Sequence, residues 1–343
     1  MATRLPAEWE PQAGVLLTWP HAATGFGPWL SEVEPVFVAM ATAILRFERV
    51  LVACHDDEVA NRVRVLLSAL PPNRLELAVT GSDDVWARDH GPITVERDGD
   101  LVPLDFIFNG WGGKFEADLD DVIPTRLSAY WSERAEALAL VLEGGAIESD
   151  GRGTLLTTRS VMGNPNRNPG LTRDAIDAAL VALLGVKRIV YLEHGHLEGD
   201  DTDGHVDTIV RLVDESTIAY VKCDDPSDSH FQSFAALETE LRRLLAVDGR
   251  PYRLVPLPWP QAVHDDDGRR LPATYANFLI INGAVLVPTY RDPADAEALR
   301  RLAAVFPGRE MIAIDCTPLI YQYGSLHCAT MQLPAGTLRE VGR

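Results

Sequence analysis

Short β-prone runs alternate with longer stretches of helical periodicity along the whole of this 343-residue chain, and that alternation restricts it to an interleaved α/β architecture. Apolar residues Trp29, Leu30, Val33, Phe37, Met40, Ile44 and Leu45 recur at helical spacing, as do Phe234, Leu237, Leu241, Leu244 and Leu245. Further helices are expected near 57–70, 172–184 and 294–305, where Pro or Gly lies close to one or both ends. Strands are expected over 15–19, 50–53, 75–79, 93–95, 138–142, 188–192, 209–213, 217–221, 278–281 and 311–314. No Gly/Ser linker, charge block or low-complexity tract interrupts the pattern, so one domain spanning 1–343 is expected. Strand-plus-helix groups return at roughly 60 to 70 residues, which suggests a modular, pseudo-symmetric build without a literal repeat. Periodicity alone equally allows a doubly wound sheet.

Charge narrows the function. Lys and Arg total 31 against 50 Asp and Glu, a net charge of −19. This argues against a nucleic-acid partner, which needs basic patches, and favours a cationic one, although acidity also serves solubility alone. The first eleven residues carry charges and prolines rather than a secretory apolar run, and no stretch approaches the roughly 20 apolar residues of a membrane span. A cytoplasmic protein without a membrane partner is expected. Cys54, Cys223, Cys316 and Cys328 are scattered with no C-x-x-C pair, so they are read as free thiols.

Five short segments near strand ends gather polar residues that would be odd in a core. In Trp86-Ala87-Arg88-Asp89-His90-Gly91-Pro92, a carboxylate beside an indole suits a flat cation, and an internal Arg88–Asp89 pair capping a turn is the structural alternative. The run from Glu193 to Asp207 holds His194, His196 and His205 among acids. If His205 and Asp207 lie on the following strand, its period of two turns both to one face. A divalent metal site is the competing reading, without a recognised ligand spacing. Tyr323-Gly324-Ser325-Leu326-His327-Cys328 places a thiol after a glycine turn, as a nucleophile or a small buried hydrophobe. Glu143 precedes Gly144-Gly145 and, if buried, needs a partner such as an imidazole. Asn277, entering the strand 278–281, either orients a neighbour or forms a simple entry turn.

Taken in order, these segments resemble the agmatine deiminase family, which includes bacterial peptidylarginine deiminases, within the guanidine-modifying superfamily. The resemblance covers essentially the whole chain. It also takes in Pro6-Ala7-Glu8-Trp9-Glu10-Pro11, Phe108-Asn109-Gly110-Trp111-Gly112-Gly113 and Asn164-Pro165-Asn166-Arg167-Asn168-Pro169. It implies a pentein fold, a five-bladed α/β propeller of ββαβ modules forming one catalytic domain. By the same resemblance Cys328 is the nucleophile, His205 the general acid/base, and Glu143 the residue orienting His205. Asp89 and Asp207 would bind the guanidinium, with Trp86, Trp111 and Asn277 at the substrate. The family pattern commonly has a longer glycine run before its His-Cys pair than Tyr323-Gly324-Ser325-Leu326 provides, which bears on substrate more than chemistry.

The implied reaction is hydrolysis of agmatine to N-carbamoylputrescine and ammonia, a step toward putrescine, through an amidino-cysteine and with no metal or organic cofactor. Free or C-terminal peptidyl arginine is the alternative substrate, and a metal-dependent hydrolase or a non-catalytic binding scaffold is a more remote reading. Glu198 and Asp200 are acidic candidates for the far end of the substrate. A homo-oligomer is compatible with the sequence.

Overall fold

A computed structural model describes residues 3–340. Their strands form five sheets, and each sheet repeats one plan. Two strands pair antiparallel, through a tight connection in all but the last sheet, and the chain then crosses over through helix to add a strand in parallel, as a parallel neighbour requires. The first blade comprises Ile93–Arg97, Asp100–Ile107 and Glu136–Val141, with Thr3–Arg4 added antiparallel beside Ile93–Arg97. The second comprises Ile147–Ser149, Thr154–Thr158 and Arg188–Leu192. Val210–Asp214, Thr217–Val221 and Arg253–Leu257 make the third, and Leu279–Ile281, Ala284–Thr289 and Glu310–Asp315 the fourth. The fifth joins the two ends of the chain. C-terminal Thr330–Pro334 pairs antiparallel with Gln12–Thr18, which is followed by parallel Arg49–Cys54 and Leu75–Val79. The fold is thus the five-bladed ββαβ propeller implied by the resemblance, and the doubly wound alternative is set aside because five separate sheets replace one continuous one.

Local chemistry sets the helices that cover the blades. Asp56 caps Asp57–Leu66 by accepting from the Val59 N–H at 2.8 Å. Thr172 caps Arg173–Leu184, and Gly185 ends that helix in the left-handed conformation at φ +67°. The helix Phe231–Leu241 stops short of the sequence expectation, leaving Leu244 and Leu245 outside it. The cause is a turn in which Asp248 accepts from the Arg250 N–H and Gly249 takes φ +79°, bringing Leu245 into a bridge with Pro251. The sequence expectation omits the strands Thr3–Arg4, Asp100–Ile107, Ile147–Ser149, Thr154–Thr158, Arg253–Leu257, Ala284–Thr289 and Thr330–Pro334.

One expectation needs correcting. The helical stretch Gly27–Leu45, with a mean hydropathy of 1.2, is long and apolar enough by length and composition to cross a membrane. In this fold its Val33, Phe37, Met40, Ala41 and Ile44 are buried in the core, alongside the strand Arg49–Cys54. Helical spacing, and not uninterrupted apolarity, was the feature that mattered.

Candidate active site

The polar segments singled out in the sequence occupy equivalent places in the propeller. Asp89 precedes the strand Ile93–Arg97, Glu143 precedes Ile147–Ser149, and His205 with Asp207 precede Val210–Asp214. Asn277 precedes Leu279–Ile281, and Cys328 precedes Thr330–Pro334. Each blade therefore delivers its polar group at the entry of its first strand, and the entries of neighbouring blades touch. The condition that His205 and Asp207 lie on the strand is not met: Asp207 lies within a 3-10 turn over Val206–Thr208, and His205 immediately precedes that turn. They reach one site through this turn and not through strand periodicity.

Asp89 and Arg88, on the short helix Ala87–His90, point to different partners. Asp89 Oδ1 accepts from the Gly145 N–H and Oδ2 from the Trp111 indole, each at 3.0 Å, while Arg88 binds Gln332 and the carbonyl of His327. The internal Arg88–Asp89 pair is thereby overturned. The His205 ring lies between two carboxylates, with Nδ1 3.6 Å from Asp89 Oδ1 and Nε2 3.4 Å from Glu143 Oε2. Burial alone would drive the imidazole toward neutrality, but Asp89, Glu143 and Asp207 outweigh it and raise its pKa to about 9. Burial dominates at Asp89, where the repulsion of Asp207 and Glu143 adds to it and the pKa rises to about 6 despite His205. Glu143 stays ionised against its own burial because His205 and Arg167 favour the charge. Arg167 Nε meets both Glu143 oxygens at 2.9 and 2.8 Å, and its remaining nitrogens reach Asp203 and the Thr202 carbonyl.

The glycine pair after Glu143 explains how this packing is reached. A Cβ on Gly145 would stand 2.5 Å from His205 Nδ1 and 2.9 Å from Asp89 Oδ1, so only glycine lets the three elements close up.

Cys328 is buried, and Asn277 and Asp207 frame it. Asn277 Oδ1 accepts from the backbone N–H of His327 at 2.8 Å and of Cys328 at 3.3 Å, and lies 3.4 Å from the Cys328 sulfur. Asn277 thus holds the backbone of the His327-Cys328 turn. Asp207 Oδ2 is 3.9 Å from the same sulfur, and Oδ1 is buried with no hydrogen-bond partner among the described residues. Burial, then the charges of Asp207 and Asp89, push the Cys328 thiol well above its ordinary range. Burial and the nearby carboxylates thus favour the thiol form of Cys328, while the carboxylates around His205 favour its imidazolium form. A cation lying between Asp89 and Asp207 would cancel the field that opposes ionisation of the thiol.

A narrow cleft opens onto Cys328 between Trp86, Trp111, Phe115, Tyr323 and Gly324, with Asp89 at its floor and Asp84, Asp201, Thr202 and Gln322 completing its lining. Gly324 is required here, because a Cβ would overlap the Trp86 ring. The proposed far-end acids are misplaced. Asp200 is spent within its own turn, accepting from Thr202 and Gly204, and Glu198 accepts from Ser229. Asp84 and Asp201 line the cleft instead, and burial first, then the neighbouring acids Asp83 and Asp200 respectively, raise each to about 7. Arg167 also went unassigned in the sequence, although a basic residue within an Asn/Pro-rich run was a visible signal. His194 and His196 are exposed, and among the described residues no three His, Cys, Asp or Glu side chains are grouped to hold an ion.

Comparison with known proteins agrees with this geometry. Over 98% of its length the chain is 34% identical to the agmatine deiminase of Stutzerimonas stutzeri, covering 96% of that protein. A crystal structure of Campylobacter jejuni agmatine deiminase with substrate bound superposes with a TM-score of 0.91 at 32% identity, over 98% of this chain and 97% of the other. A Porphyromonas gingivalis structure, provisionally described as an arginine deiminase, is 52% identical with a TM-score of 0.91, over 98% of this chain and all of the other. Residues 4–334 match the model of the Porphyromonas-type peptidyl-arginine deiminase family, and the chain belongs to that family.

Proposed function

We propose that this protein, as a single catalytic unit, hydrolyses the guanidinium group of agmatine to N-carbamoylputrescine and ammonia, a product one step from putrescine. The observation that carries this reading is the cleft itself. Two carboxylates, Asp89 and Asp207, flank a buried thiol, two more, Asp84 and Asp201, line the approach, and no Arg or Lys is among the lining residues. A substrate cationic at both ends fits that pattern, and one bearing a carboxylate does not.

A guanidinium carbon resists attack because its charge is delocalised, so the plane must be fixed and the nucleophile held close. The two aspartates would grip opposite N–H edges. As the cation arrives the thiol proton passes to solvent, and the Cys328 sulfur bonds to the central carbon. His205, already protonated, gives its proton to the departing nitrogen, which leaves as ammonia. The neutral imidazole then takes a proton from water as the oxygen adds to the amidino-cysteine carbon. Collapse breaks the C–S bond, and the thiolate recovers a proton from the protonated urea product. Glu143, anchored by Arg167, keeps the imidazole oriented through the cycle.

The second reading is free or C-terminal peptidyl arginine, favoured by the 52% identity to the Porphyromonas gingivalis protein. Ammonia release from agmatine, arginine and a C-terminal arginyl peptide, assayed in parallel with a chelator present and Cys328→Ala as control, separates the two. Turnover of agmatine alone supports the first reading, and preference for an arginine compound replaces it with the second. Silence on all three would sink both.

A further inference from the structure

The N-terminal motif around Glu8 and the histidine beside the nucleophile play no part in the chemistry above, yet they meet in one buried cluster. His327 is 1% exposed. Its Nδ1 lies 2.7 Å from Asp207 Oδ2 and its Nε2 2.8 Å from Glu8 Oε2. Glu8 in turn accepts from Arg211 at 2.7 Å and from the Ile280 N–H at 2.7 Å, and Arg211 binds Glu148 at 3.1 Å. Arg88 completes the cluster, its Nη2 3.8 Å from Glu8.

We propose that His327 is a positioning residue for the guanidinium-binding carboxylate: clamped as an imidazolium between Asp207 and Glu8, it fixes the Asp207 side chain and holds it ionised beside Cys328. A carboxylate oxygen has no proton to offer, so a ring nitrogen at hydrogen-bond distance from one must donate, and His327 faces one on each side. Charge counting agrees. Asp207, Glu8 and Glu148, the last held by Arg211 and the Leu212 N–H against the burial that pushes its pKa up, face Arg88 and Arg211, and an imidazolium at His327 is the third cation. An unbalanced charge at such depth would be costly. With Oδ2 held by His327, Oδ1 of Asp207 is left as the free acceptor that a substrate N–H needs. Burial would raise the Asp207 pKa, and His327 is the first of the groups that bring it below its ordinary value, ahead of His205 and Arg211. The inference gives Asp207 the role described under the proposed function and rests on that reading.

Two measurements test it. The first needs no substrate: ¹⁵N-histidine-labelled wild-type protein near neutral pH should show two buried imidazoles with both nitrogens protonated, one assigned to His205 by its loss in His205→Asn and the other persisting. Detecting only one such imidazole, the one lost in His205→Asn, overturns the proposal, whether or not agmatine is the substrate. The second is the pH profile of kcat/KM for His327→Asn, which keeps a donor toward Asp207 but no charge. Losing an adjacent positive charge should raise the Asp207 pKa, so the acid limb moves up and steepens as a further carboxylate titrates with Asp89. Glu8→Gln, which keeps an acceptor for Nε2, should move it less. A folded His327→Asn enzyme that loses activity equally at every pH would show a merely structural role and overturn the proposal.

Discussion

The indole Nε1 of Trp111 donates to Asp89 Oδ2 at 3.0 Å, and the Trp111 backbone sits at φ +54°, in the left-handed region that a bulky residue avoids. Gly110, Gly112 and Gly113 around it are also left-handed, so the loop is bent to bring this one donor onto the carboxylate. Asp89 thereby keeps its second lone pairs for a substrate. A hydrogen bond to a charged group contributes about 1.5–3 kcal/mol, so Trp111→Phe should lower kcat/KM roughly 10- to 100-fold with the fold intact. Steady-state kinetics beside a thermal melt decide this, and an unchanged kcat/KM would remove Trp111 from the binding account.

The activity profile should be a bell. Burial raises Asp89 to about 6 and the cleft-lining Asp84 and Asp201 to about 7, so binding of a cationic substrate is lost as pH falls through that range, and the carboxylates around His205 raise it to about 9, so the proton for the leaving ammonia is lost as pH rises through that value. The same histidine has a stability consequence. Its pKa is raised from 6.5 to about 9 on folding, so its contribution is fully present below 6.5 and lost as pH climbs through 9. A log(kcat/KM) plot from pH 5 to 10 checks the first statement. A plateau extending unbroken across both ends would contradict the assignment of Asp89 and His205.

Much of the site was legible in sequence because its residues sit in turns. Asp89, Glu143, Asn277 and Cys328 each fall immediately before an apolar strand, and glycines mark three of those places, so local composition exposes them. Strands such as Ala284–Thr289 were hidden because they are buried on both faces and follow their hairpin partner after only two residues. Asp84 and Asp201 could not be chosen over Glu198 and Asp200, since all four lie in acid-rich loops. Only the path of the backbone turns Asp200 inward to its own loop and leaves Asp201 at the cleft. The clamp on His327 spans 319 residues from Glu8 and leaves no local mark at all.

Cys328→Ala should leave no turnover while the protein stays folded, because the sulfur is the only protein atom proposed to bond to the substrate and its removal changes little core volume. Asp207→Asn should impair kcat and KM together, since the amide neither holds a cation nor accepts from His327 as a carboxylate does. Ammonia assays with circular dichroism as the fold control test both. Wild-type turnover by Cys328→Ala would overturn the covalent mechanism.

Arg167 and Glu143 form a buried pair in which one guanidinium nitrogen bridges both carboxylate oxygens. Removing one partner of such a pair commonly costs about 3–5 kcal/mol, because the other is left charged and unpaired. Arg167→Met should therefore melt well below the wild type, and adding Glu143→Gln should recover part of the loss. Additive destabilisation in the double variant would show that the two side chains do not act as a pair.

Gly145 makes the sharpest steric test. Its absent side chain is where His205 and Asp89 meet, and a methyl 2.5 Å from one and 2.9 Å from the other cannot be accommodated without moving both. Overpacking of this kind costs about 1–3 kcal/mol, modest for a large fold but fatal to a constellation whose groups act at hydrogen-bond range. Gly145→Ala should thus lose at least about 100-fold in kcat/KM, since a displacement of 1 Å at a reacting centre can cost that much, while remaining folded. Gly81→Ala is the matched control, because a Cβ there meets only ordinary contacts at 3.5 Å or more from Leu119 and Arg126. If the two variants retained equal activity, the close approach of His205 and Asp89 would carry no catalytic weight.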